Sequence, residues 1–136
     1  MSMIIKEYTH FDDAEILALY SSVGWTAYTD NFAALREGFA HSLLVLAAYE
    51  QERLLGIARI VGDAHTIIFI QDLLIAPDYQ RRGIATRLVK EVFKRYEGVR
   101  QIEVLSDDSA AASAFYRSLG FVQPKELGCC AHVRMQ

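Results

Sequence analysis

The sequence is poor in cysteine, and it has no apolar run long enough to cross a bilayer. Its two cysteines are adjacent, at Cys129 and Cys130. Because neighbours in a strand point to opposite faces, we expect no disulfide between them and predict a reducing, cytoplasmic location. The first six residues contain no long apolar region, so no signal peptide is predicted. The lack of a run of membrane-spanning length likewise predicts no membrane partner.

The sequence also lacks an excess of positive charge and a metal-ligand pattern. Its 14 basic and 17 acidic side chains give a net charge of −3, which provides no overall attraction to nucleic acid. The four histidines and two cysteines show no zinc-ligand spacing, so we predict no bound metal. Nucleic-acid binding is an alternative function that this charge balance disfavours. The basic residues that would contact the nucleic acid are Arg81, Arg82, Arg87, Lys94, Arg95 and Arg100.

What the sequence has in quantity is regularly spaced apolar residues. Hydrophobic residues make up 52% of the 136 positions, which predicts a packed core and a single domain over residues 1–136. Their periodicity predicts the order β-α-α-β-β-β-α-β-α-β-β, an α+β fold in which helices flank a mixed, mostly antiparallel sheet. The predicted strands cover residues 3–8, 43–49, 54–61, 66–76, 100–105, 121–122 and 129–135.

Short polar residues predict where three of the helices begin. Asp12 and Glu15 form a capping box for the first helix. Asp30 is expected to cap the second helix, and either Asp107 or Asp108 the last one. These residues favour N-cap positions because a side-chain oxygen can accept one of the unpaired amides of the first turn.

The stretch from residue 66 to residue 93 combines a strand, a loop and a helix. Its apolar strand ends at Pro77, because proline cannot donate to a sheet ladder. From Ile84 onward, apolar residues recur at helical spacing and predict an amphipathic helix. The segment Gln80-Arg-Arg-Gly-Ile-Ala85 connects the two, and the unpaired amides at the helix start form an anion site. Two arginines in this segment favour phosphate.

This loop differs from two common phosphate-binding motifs. A Walker loop requires a second glycine and then Lys-Ser/Thr, and a dinucleotide fingerprint requires three glycines. The pattern Gln-x-x-Gly-x-Ala with its preceding strand and Pro77 resembles the GNAT-type N-acetyltransferases, and the element order extends the resemblance nearly end to end. The resemblance implies that the loop holds the pyrophosphate of acetyl-coenzyme A. The alternative is an ordinary strand-to-helix turn with solvated arginines.

The resemblance also implies how the rest of acetyl-coenzyme A is held. The main chain of Leu73 and Ile75 would bind the pantetheine, with the Leu73 amide near the thioester oxygen. The strands at 66–76 and 101–105 would splay apart to admit this arm. Ser109 stands where the family often has asparagine, and its side chain reaches less far. The predicted cofactor-binding residues are Leu73, Ile75, Gln80, Arg81, Arg82, Gly83, Ile84, Ala85, Thr86, Ser109 and Phe115.

Tyr116 is predicted as the catalytic proton donor. It lies in Phe115-Tyr-Arg-Ser-Leu-Gly-Phe121, which resembles the second motif of the family, a tyrosine four residues before Gly-Phe. A phenol with a pKa of about 10 can donate to a departing thiolate with a pKa of about 8.5 without ionising fully. Gly120 is predicted to end this helix as its C′ residue. The alternative is that Tyr116 is only an aromatic at the edge of the core.

Asp72 is predicted as the general base. A free alkylamine has a pKa of about 10.4 and is mostly protonated at neutral pH, so the reaction needs a proton acceptor. Asp72 lies among apolar neighbours in the strand at 66–76, where it could accept that proton directly or through water. The alternative is a structural carboxylate satisfied by a neighbouring helix or loop. Glu103, on the facing strand, is a second candidate.

Three aromatic residues are predicted to contact the substrate. Residues 25–30 are expected to form a short link between the first two helices, and the resemblance places this link over the acceptor. Trp25, Tyr28 and Phe32 therefore indicate a flat or amphipathic amine. The alternative is an aromatic cluster that seals the first helix to the sheet.

Together these residues predict an N-acetyltransferase that moves the acetyl group of acetyl-coenzyme A directly to a primary amine of a small molecule within a ternary complex. Two alternatives stay open. One is a non-catalytic module that binds coenzyme A for regulation, and the other is an acetyltransferase of protein or peptide amines. The resemblance is also compatible with a homodimer, since many relatives pair through terminal strands.

Overall fold

The computed structural model of the chain describes residues 2–136, and it forms five strands and five α-helices over this range. No helix within it is long and apolar enough to span a bilayer. The contacts divide the chain into two compact units, Met1–Leu105 and Ser106–Gln136, and the single domain stays a prediction. In chain order the elements are β1 (Met3–Glu7), α1 (Asp13–Ser22), α2 (Thr26–Thr29), α3 (Phe32–Ala40), β2 (Leu44–Glu50), β3 (Arg53–Gly62), β4 (Ile67–Ile75), α4 (Ile84–Arg95), β5 (Gln101–Val104) and α5 (Ala110–Ser118).

The first unit is built on a five-stranded sheet in the spatial order β1-β2-β3-β4-β5. Neighbouring strands are antiparallel from β1 to β4, whereas β4 and β5 are parallel. A parallel pair needs a crossover connection, and α4 provides it between β4 and β5. The prediction of a mixed, mostly antiparallel sheet is therefore confirmed.

Helices cover both faces of this sheet. Residues 44–48 of β2 are buried at every position, and because successive side chains alternate, this requires partners on both faces. One face packs against α1 and α3 in a cluster of Ile16, Leu19, Tyr20, Leu35, Phe39, Val45, Ala47, Leu54, Ile57 and Leu74. Helix α4 packs against β2, β3 and β4, and its buried residues Ile84, Leu88, Val89 and Val92 lie outside that cluster.

The predicted start of α1 is confirmed, with one difference in the bonding. The Asp12 carboxylate accepts the Glu15 amide at 3.0 Å, as expected for an N-cap. The Glu15 carboxylate accepts the Tyr8 hydroxyl at 2.9 Å, and the Tyr8 oxygen accepts the Asp12 amide at 3.1 Å. The reciprocal half of the capping box thus closes through Tyr8, which ties the end of β1 to α1.

The other two predicted helix starts are wrong by one or two residues. Residues 26–29 form the one-turn helix α2 rather than an irregular link, so Asp30 ends α2 and Asn31 is the N-cap of α3. The N-cap of α5 is Ser109 rather than either of the two aspartates before it. In both cases the cap is the residue next to the first helical position, and the candidate aspartates lie one or two residues before it.

The two strands predicted near the end of the chain are absent from the described residues. The Phe121 amide donates to the Tyr116 carbonyl at 3.0 Å, so this residue belongs to the end of α5 rather than to a sheet ladder. Residues 122–136 are exposed throughout, and a short 3₁₀ turn occupies Pro124–Leu127. A strand is stabilised by cross-strand neighbours and a buried face, and the alternating pattern at 129–135 has no buried face here.

Candidate functional site

The first turn of α4 presents backbone amides that its own N-cap residue cannot cap, because that residue is a glycine. Gly83 is the N-cap and has the left-handed conformation, with φ of 78°. Arg81 is also left-handed, with φ of 64°, so the chain curls tightly as it enters the helix. The first amides of a helix lack intrahelical acceptors and lie at the positive end of the helix dipole. This tip is therefore chemically suited to an oxyanion.

Open space at Gly83 allows a ligand to reach these amides. Apart from its two chain neighbours, no atom lies within 4 Å of a Cβ built at this glycine, so residues from elsewhere in the described chain do not cover the position. The guanidinium carbons of Arg82 and Arg53 lie 5.1 Å and 5.0 Å from the ring centroid of Tyr79. The tip thus combines amides with positive charge, and the residues present fit a pyrophosphate. The predicted cofactor-binding residues 81–86 lie together here.

Strands β4 and β5 separate halfway along β4. Their pairing covers residues 67–70 of β4 and 101–104 of β5, whereas β4 continues to Ile75. Leu105, which follows β5, is 56% exposed. The end of the pairing agrees with the splayed strands that the resemblance implies. Among the residues described, the second half of β4 therefore has no strand along one edge.

The uncovered edge of β4 carries the main chain of Leu73 and Ile75. The Ala76 amide donates to the Leu55 carbonyl of β3 at 2.8 Å. Since successive peptide groups of a strand point to alternate sides, the amides of Leu73 and Ile75 point away from β3. The Gln80 side chain donates to the Ile75 carbonyl at 3.1 Å and thereby ties the loop to the strand. The Leu73 and Ile75 amides thus lie on the edge of β4 where the pantetheine contacts are predicted.

Asp72 is the centre of a buried hydrogen-bond network and is 2% exposed. Its Oδ2 accepts Arg59 Nε at 2.6 Å and the Tyr20 hydroxyl at 2.7 Å, and its Oδ1 accepts the Tyr28 hydroxyl at 2.8 Å. Burial raises the pKa of both Tyr20 and Tyr28, and the Asp72 charge raises each further, so both phenols are protonated donors at neutral pH. These contacts match the structural alternative for Asp72, and its role as a base stays a prediction.

Arg59 joins this network through the register of the sheet. It lies opposite Asp72 in the pairing of β3 with β4, and it is 6% exposed. The register shifts directly after this pair, which leaves Gln71 as the extra residue of a β-bulge. Gln71 is exposed, and its side-chain amide donates to the Tyr28 oxygen at 3.2 Å. The bulge thus aims a polar side chain at the outer end of the network.

Helix α3 leaves room for the Arg59 guanidinium. A Cβ built at Gly38 would lie 3.1 Å from Arg59 Nη1. Ser42, just after α3, accepts Nη1 at 3.4 Å, and the Phe39 ring centroid lies 5.7 Å from the guanidinium carbon. Burial alone would lower the pKa of Arg59, but the Asp72 charge, the hydrogen bond to Asp72 and the two nearby tyrosines together outweigh it, and the pKa is raised. Arg59 is therefore a buried cation held on several sides.

The aromatic residues predicted to bind substrate occupy two places. Trp25 and Tyr28 both pack against Tyr20, with ring centroids 5.9 Å and 5.4 Å from it. Phe32 packs against Phe11 instead, with centroids 5.7 Å apart. The packing matches the alternative in which an aromatic cluster seals the first helix. Trp25 is nevertheless 36% exposed, so part of its ring is accessible to a ligand beside Tyr28.

In the second unit, the end of α5 holds Tyr116. Gly120 is the C′ residue, with φ of 93°, which confirms the predicted helix end. The Phe121 amide donates to the Tyr116 carbonyl and the Gly120 amide to the Arg117 carbonyl, both at 3.0 Å, which is the Schellman arrangement. Its usual apolar contact is made by the rings of Tyr116 and Phe121, with centroids 5.5 Å apart. The spacing of tyrosine before Gly-Phe thus has a local structural cause.

The remaining predicted residues have local partners. Burial, and then the Asp107 charge, raises the pKa of Tyr116, so its phenol is protonated at neutral pH. Phe115 packs edge-on against Tyr116, with ring centroids 4.9 Å apart. The Ser109 hydroxyl oxygen caps α5. The Glu103 carboxylate accepts a hydrogen bond from the side-chain amide of Gln101. Their predicted roles stay predictions. Within residues 2–136, no group of three or more His, Cys, Asp or Glu side chains could hold a metal ion.

Three members of the network were not identified from the sequence: Arg59, Tyr20 and Gln71. The sequence did carry a signal for Arg59. It is the single cation in the predicted strand at 54–61, and Asp72 is the single carboxylate in the next strand, at 66–76. Opposite charges in neighbouring strands favour a cross-strand pair. For Tyr20, helical spacing in the first helix indicates only a core position. The position of Gln71 depends on the bulge, for which the sequence has no pattern.

Comparisons with known proteins identify similar chains. A family model for the acetyltransferase (GNAT) domain matches residues 12–136. The solved structure of a GNAT-family acetyltransferase from Streptococcus pneumoniae TIGR4 has a TM-score of 0.89 and 30% identity, and covers 99% of this chain and 98% of that chain. The uncharacterised N-acetyltransferase ycf52 of Gracilaria tenuistipitata var. liui is 29% identical over 121 residues, 86% of this chain and 64% of that protein. Histone acetyltransferase TAP1 of Glycine max is 27% identical over 123 residues, 81% of this chain and 52% of that protein. The chain thus spans between half and two thirds of these two curated relatives.

Proposed function

Because this chain belongs to the GNAT family of acetyltransferases, we propose that it transfers an acetyl group from acetyl-coenzyme A to a primary amine of a small molecule. The α+β fold expected from the resemblance is confirmed by the similar solved structure. The acetyl donor of this family is acetyl-coenzyme A. The amine attacks directly, with both substrates bound at once.

The observation that carries this proposal is the open tip of α4. Its N-cap is a left-handed glycine, which has no side chain to cap the first amides, and apart from its two chain neighbours no atom lies within 4 Å of a Cβ built there. The main chain of Leu73 and Ile75 lies on an edge of β4 that β5 does not cover. An elongated molecule with a diphosphate at one end fits this combination, because the helix tip binds oxyanions and the strand edge offers amides.

Tyr28 and Asp72 are proposed to receive the proton of the amine. When bound, acetyl-coenzyme A supplies a thioester whose carbonyl carbon forms a C–N bond with the amine as its C–S bond breaks. Asp72 is 2% exposed, so it must act through a partner. The half-buried Tyr28 donates to Asp72 Oδ1 at 2.8 Å. We therefore assign Tyr28 the contact with the amine: the amine replaces the exposed Gln71 amide on the Tyr28 oxygen, which accepts the amine proton while its own proton passes to Asp72.

Tyr116 is proposed to return a proton to the sulfur of the leaving thiolate. The support is the resemblance of its motif and a phenol that carries its proton at neutral pH, with a pKa that burial raises further. The Schellman end of α5 restricts its ring through the contact with Phe121. A donor held in one rotamer avoids the entropy cost of ordering during the reaction.

The acceptor is proposed to be a flat or amphipathic amine. Support comes from the partly exposed Trp25 ring beside Tyr28, with centroids 6.2 Å apart, and from the exposed Gln71 amide on the Tyr28 oxygen. An aromatic surface next to one polar hydroxyl favours a ligand with an apolar body and one polar end. A second candidate is an amine of a protein, favoured by the similarity to a relative named as a histone acetyltransferase.

The proposed reaction is tested by release of thiol from acetyl-coenzyme A with a panel of acceptors. The panel contains arylalkylamines, polyamines, amino sugars and lysine-containing peptides. We expect the arylalkylamines to react fastest. Turnover with peptides alone would favour the second candidate. Binding of acetyl-coenzyme A without turnover of any acceptor would favour a non-catalytic binding module instead.

The cofactor site is tested by calorimetry of acetyl-coenzyme A with Gly83→Val. The added side chain disfavours the left-handed backbone and fills the space through which phosphate approaches, so we expect affinity to fall at least about tenfold. The matched control is Gly128→Val, because Gly128 has φ of 79° against 78° and equally open surroundings. Equal affinity in the two variants would remove the tip of α4 from the proposal.

A further inference from the structure

Arg59 contacts both partners of the hydrogen bond between Asp72 and Tyr28. Its Nε lies 2.6 Å from Asp72 Oδ2, and its Nη2 lies 3.4 Å from the Tyr28 oxygen. The guanidinium carbon is 5.8 Å from the Tyr28 ring centroid. We propose that Arg59 is a positioning residue for the acceptor amine, because it orients the Asp72 carboxylate and thereby the Tyr28 hydroxyl. This inference rests on the proposed function.

The donors divide between the two carboxylate oxygens in a way that fixes the rotation of Asp72. Arg59 and Tyr20 both donate to Oδ2, from β3 and from α1, which leaves Oδ1 to the Tyr28 hydroxyl. A carboxylate held at one oxygen by two elements has little freedom to turn. The Tyr28 hydroxyl therefore has a defined acceptor, and its oxygen has a defined direction.

Arg59 can impose this geometry because its own position is restricted. The sheet register places it opposite Asp72, and the backbone of Gly38 lies close enough that a Cβ there would be 3.1 Å from Nη1. Ser42 accepts the same Nη1 at 3.4 Å. The planar guanidinium has donors at fixed angles, so it reaches Asp72 and Tyr28 together, whereas a lysine ammonium is a point charge.

Stability alone does not account for the pair. A buried ion pair contributes little net stability compared with apolar side chains of similar volume, because both charges lose their hydration. β3 and β4 are otherwise apolar on this face, where Ile57 lies opposite Leu74 next to the pair. On such an apolar face, the charged pair orients the Tyr28 hydroxyl at the outer end of the network.

Kinetics of Arg59→Lys test the inference, with Arg36→Lys as the matched control. Arg36 pairs with Asp13 at 2.6 Å, as Arg59 does with Asp72, but on the exposed surface. We expect Arg59→Lys to lower kcat/KM for the amine at least about tenfold while calorimetric affinity for acetyl-coenzyme A stays within about twofold. Arg36→Lys should change neither. A folded Arg59→Lys protein with unchanged kcat/KM for the amine would overturn the inference.

A double variant separates positioning from a general structural role. If Arg59 acts through the Tyr28 hydroxyl, then Arg59→Lys should cause no further loss of kcat/KM in a Tyr28→Phe background. Losses that multiply in the double variant would show that Arg59 acts elsewhere, and would overturn the inference. The comparison needs measurable activity in Tyr28→Phe, so it uses the fastest acceptor of the panel.

An NMR measurement decides the inference even if the wild-type protein releases no thiol. Tyrosine labelled with ¹³C at Cζ reports the state of each phenol, and Tyr28→Phe assigns the Tyr28 signal. The charged groups that face this hydroxyl are Asp72 and Arg59. We expect Arg59→Lys to shift the Tyr28 signal and Arg36→Lys to leave it unchanged. Absence of thiol release with the shift present would refute the proposed function alone, and an unchanged Tyr28 signal would overturn the positioning role.

Discussion

Replacing Asp72 by asparagine should destabilise the protein far more than the same change at Asp13. Both carboxylates pair with an arginine at 2.6 Å, Asp72 with Arg59 and Asp13 with Arg36. The side chains of the first pair are 1% and 7% exposed, and those of the second are 61% and 45% exposed. The two substitutions therefore compare the same chemistry in a buried and an exposed environment.

The expected magnitude follows from what Asp72→Asn leaves behind. The Arg59 guanidinium stays buried without its countercharge, and breaking a buried pair in this way costs about 3–5 kcal/mol. The asparagine amide would also face one of the three donors that the carboxylate accepts. Against a total stability of about 5–15 kcal/mol, this loss is large. For a chain of this length we expect the melting temperature to fall by roughly 10–25 °C.

The exposed pair should behave differently. Asp13→Asn is expected to change stability little, because water and salt screen exposed charges and two flexible side chains lose entropy on pairing. Urea denaturation followed by far-ultraviolet circular dichroism measures both variants, with the unfolding free energy obtained by linear extrapolation. Equal losses in the two variants would refute the reasoning, since burial is the variable that distinguishes the pairs. A small loss at Asp72 would equally contradict a network held together by its charge.

Three further predictions concern single side chains. Tyr116→Phe should lower turnover roughly 10²-fold with binding of acetyl-coenzyme A kept, measured by thiol release, and full activity would leave Tyr116 a packing residue. Tyr20 has a raised pKa in the folded protein, so its contribution to stability is complete below the ordinary phenol pKa of about 10 and is lost as pH rises through the folded value. Above about pH 10, unfolding free energy should therefore fall less steeply in Tyr20→Phe, by about 1.4 kcal/mol per pH unit in urea titrations, and an unchanged slope would contradict the burial of this phenol. Gly38→Ala should not give the gain of about 1 kcal/mol expected from helix propensity, because the Arg59 guanidinium lies in the way; such a gain in urea denaturation would show that Arg59 moves freely.

Features that depend on neighbours along the chain were predictable. The helical spacing from Ile84, the stop at Pro77 and the glycine end of α5 all arise from backbone and side-chain sterics within a few residues. The same local rules misplaced two N-caps, since a one-turn helix and a competing serine lay within two residues of the chosen aspartates. The terminal strands were predicted from alternation alone, although a strand also requires a partner and a buried face.

The sequence by itself determined the glycine-led start of α4 and the anchored position of Tyr116, because both are built from contiguous residues whose conformations their own sterics select. Only the tertiary structure decided that Asp72 is paired with Arg59 and contacts Tyr28. That arrangement needs β3 and β4 in one register, a bulge at Gln71, and a glycine on α3 facing the guanidinium. The physical reason is that the energy of a buried charge depends on which groups the fold brings to it, and those groups come from elements far apart in the chain.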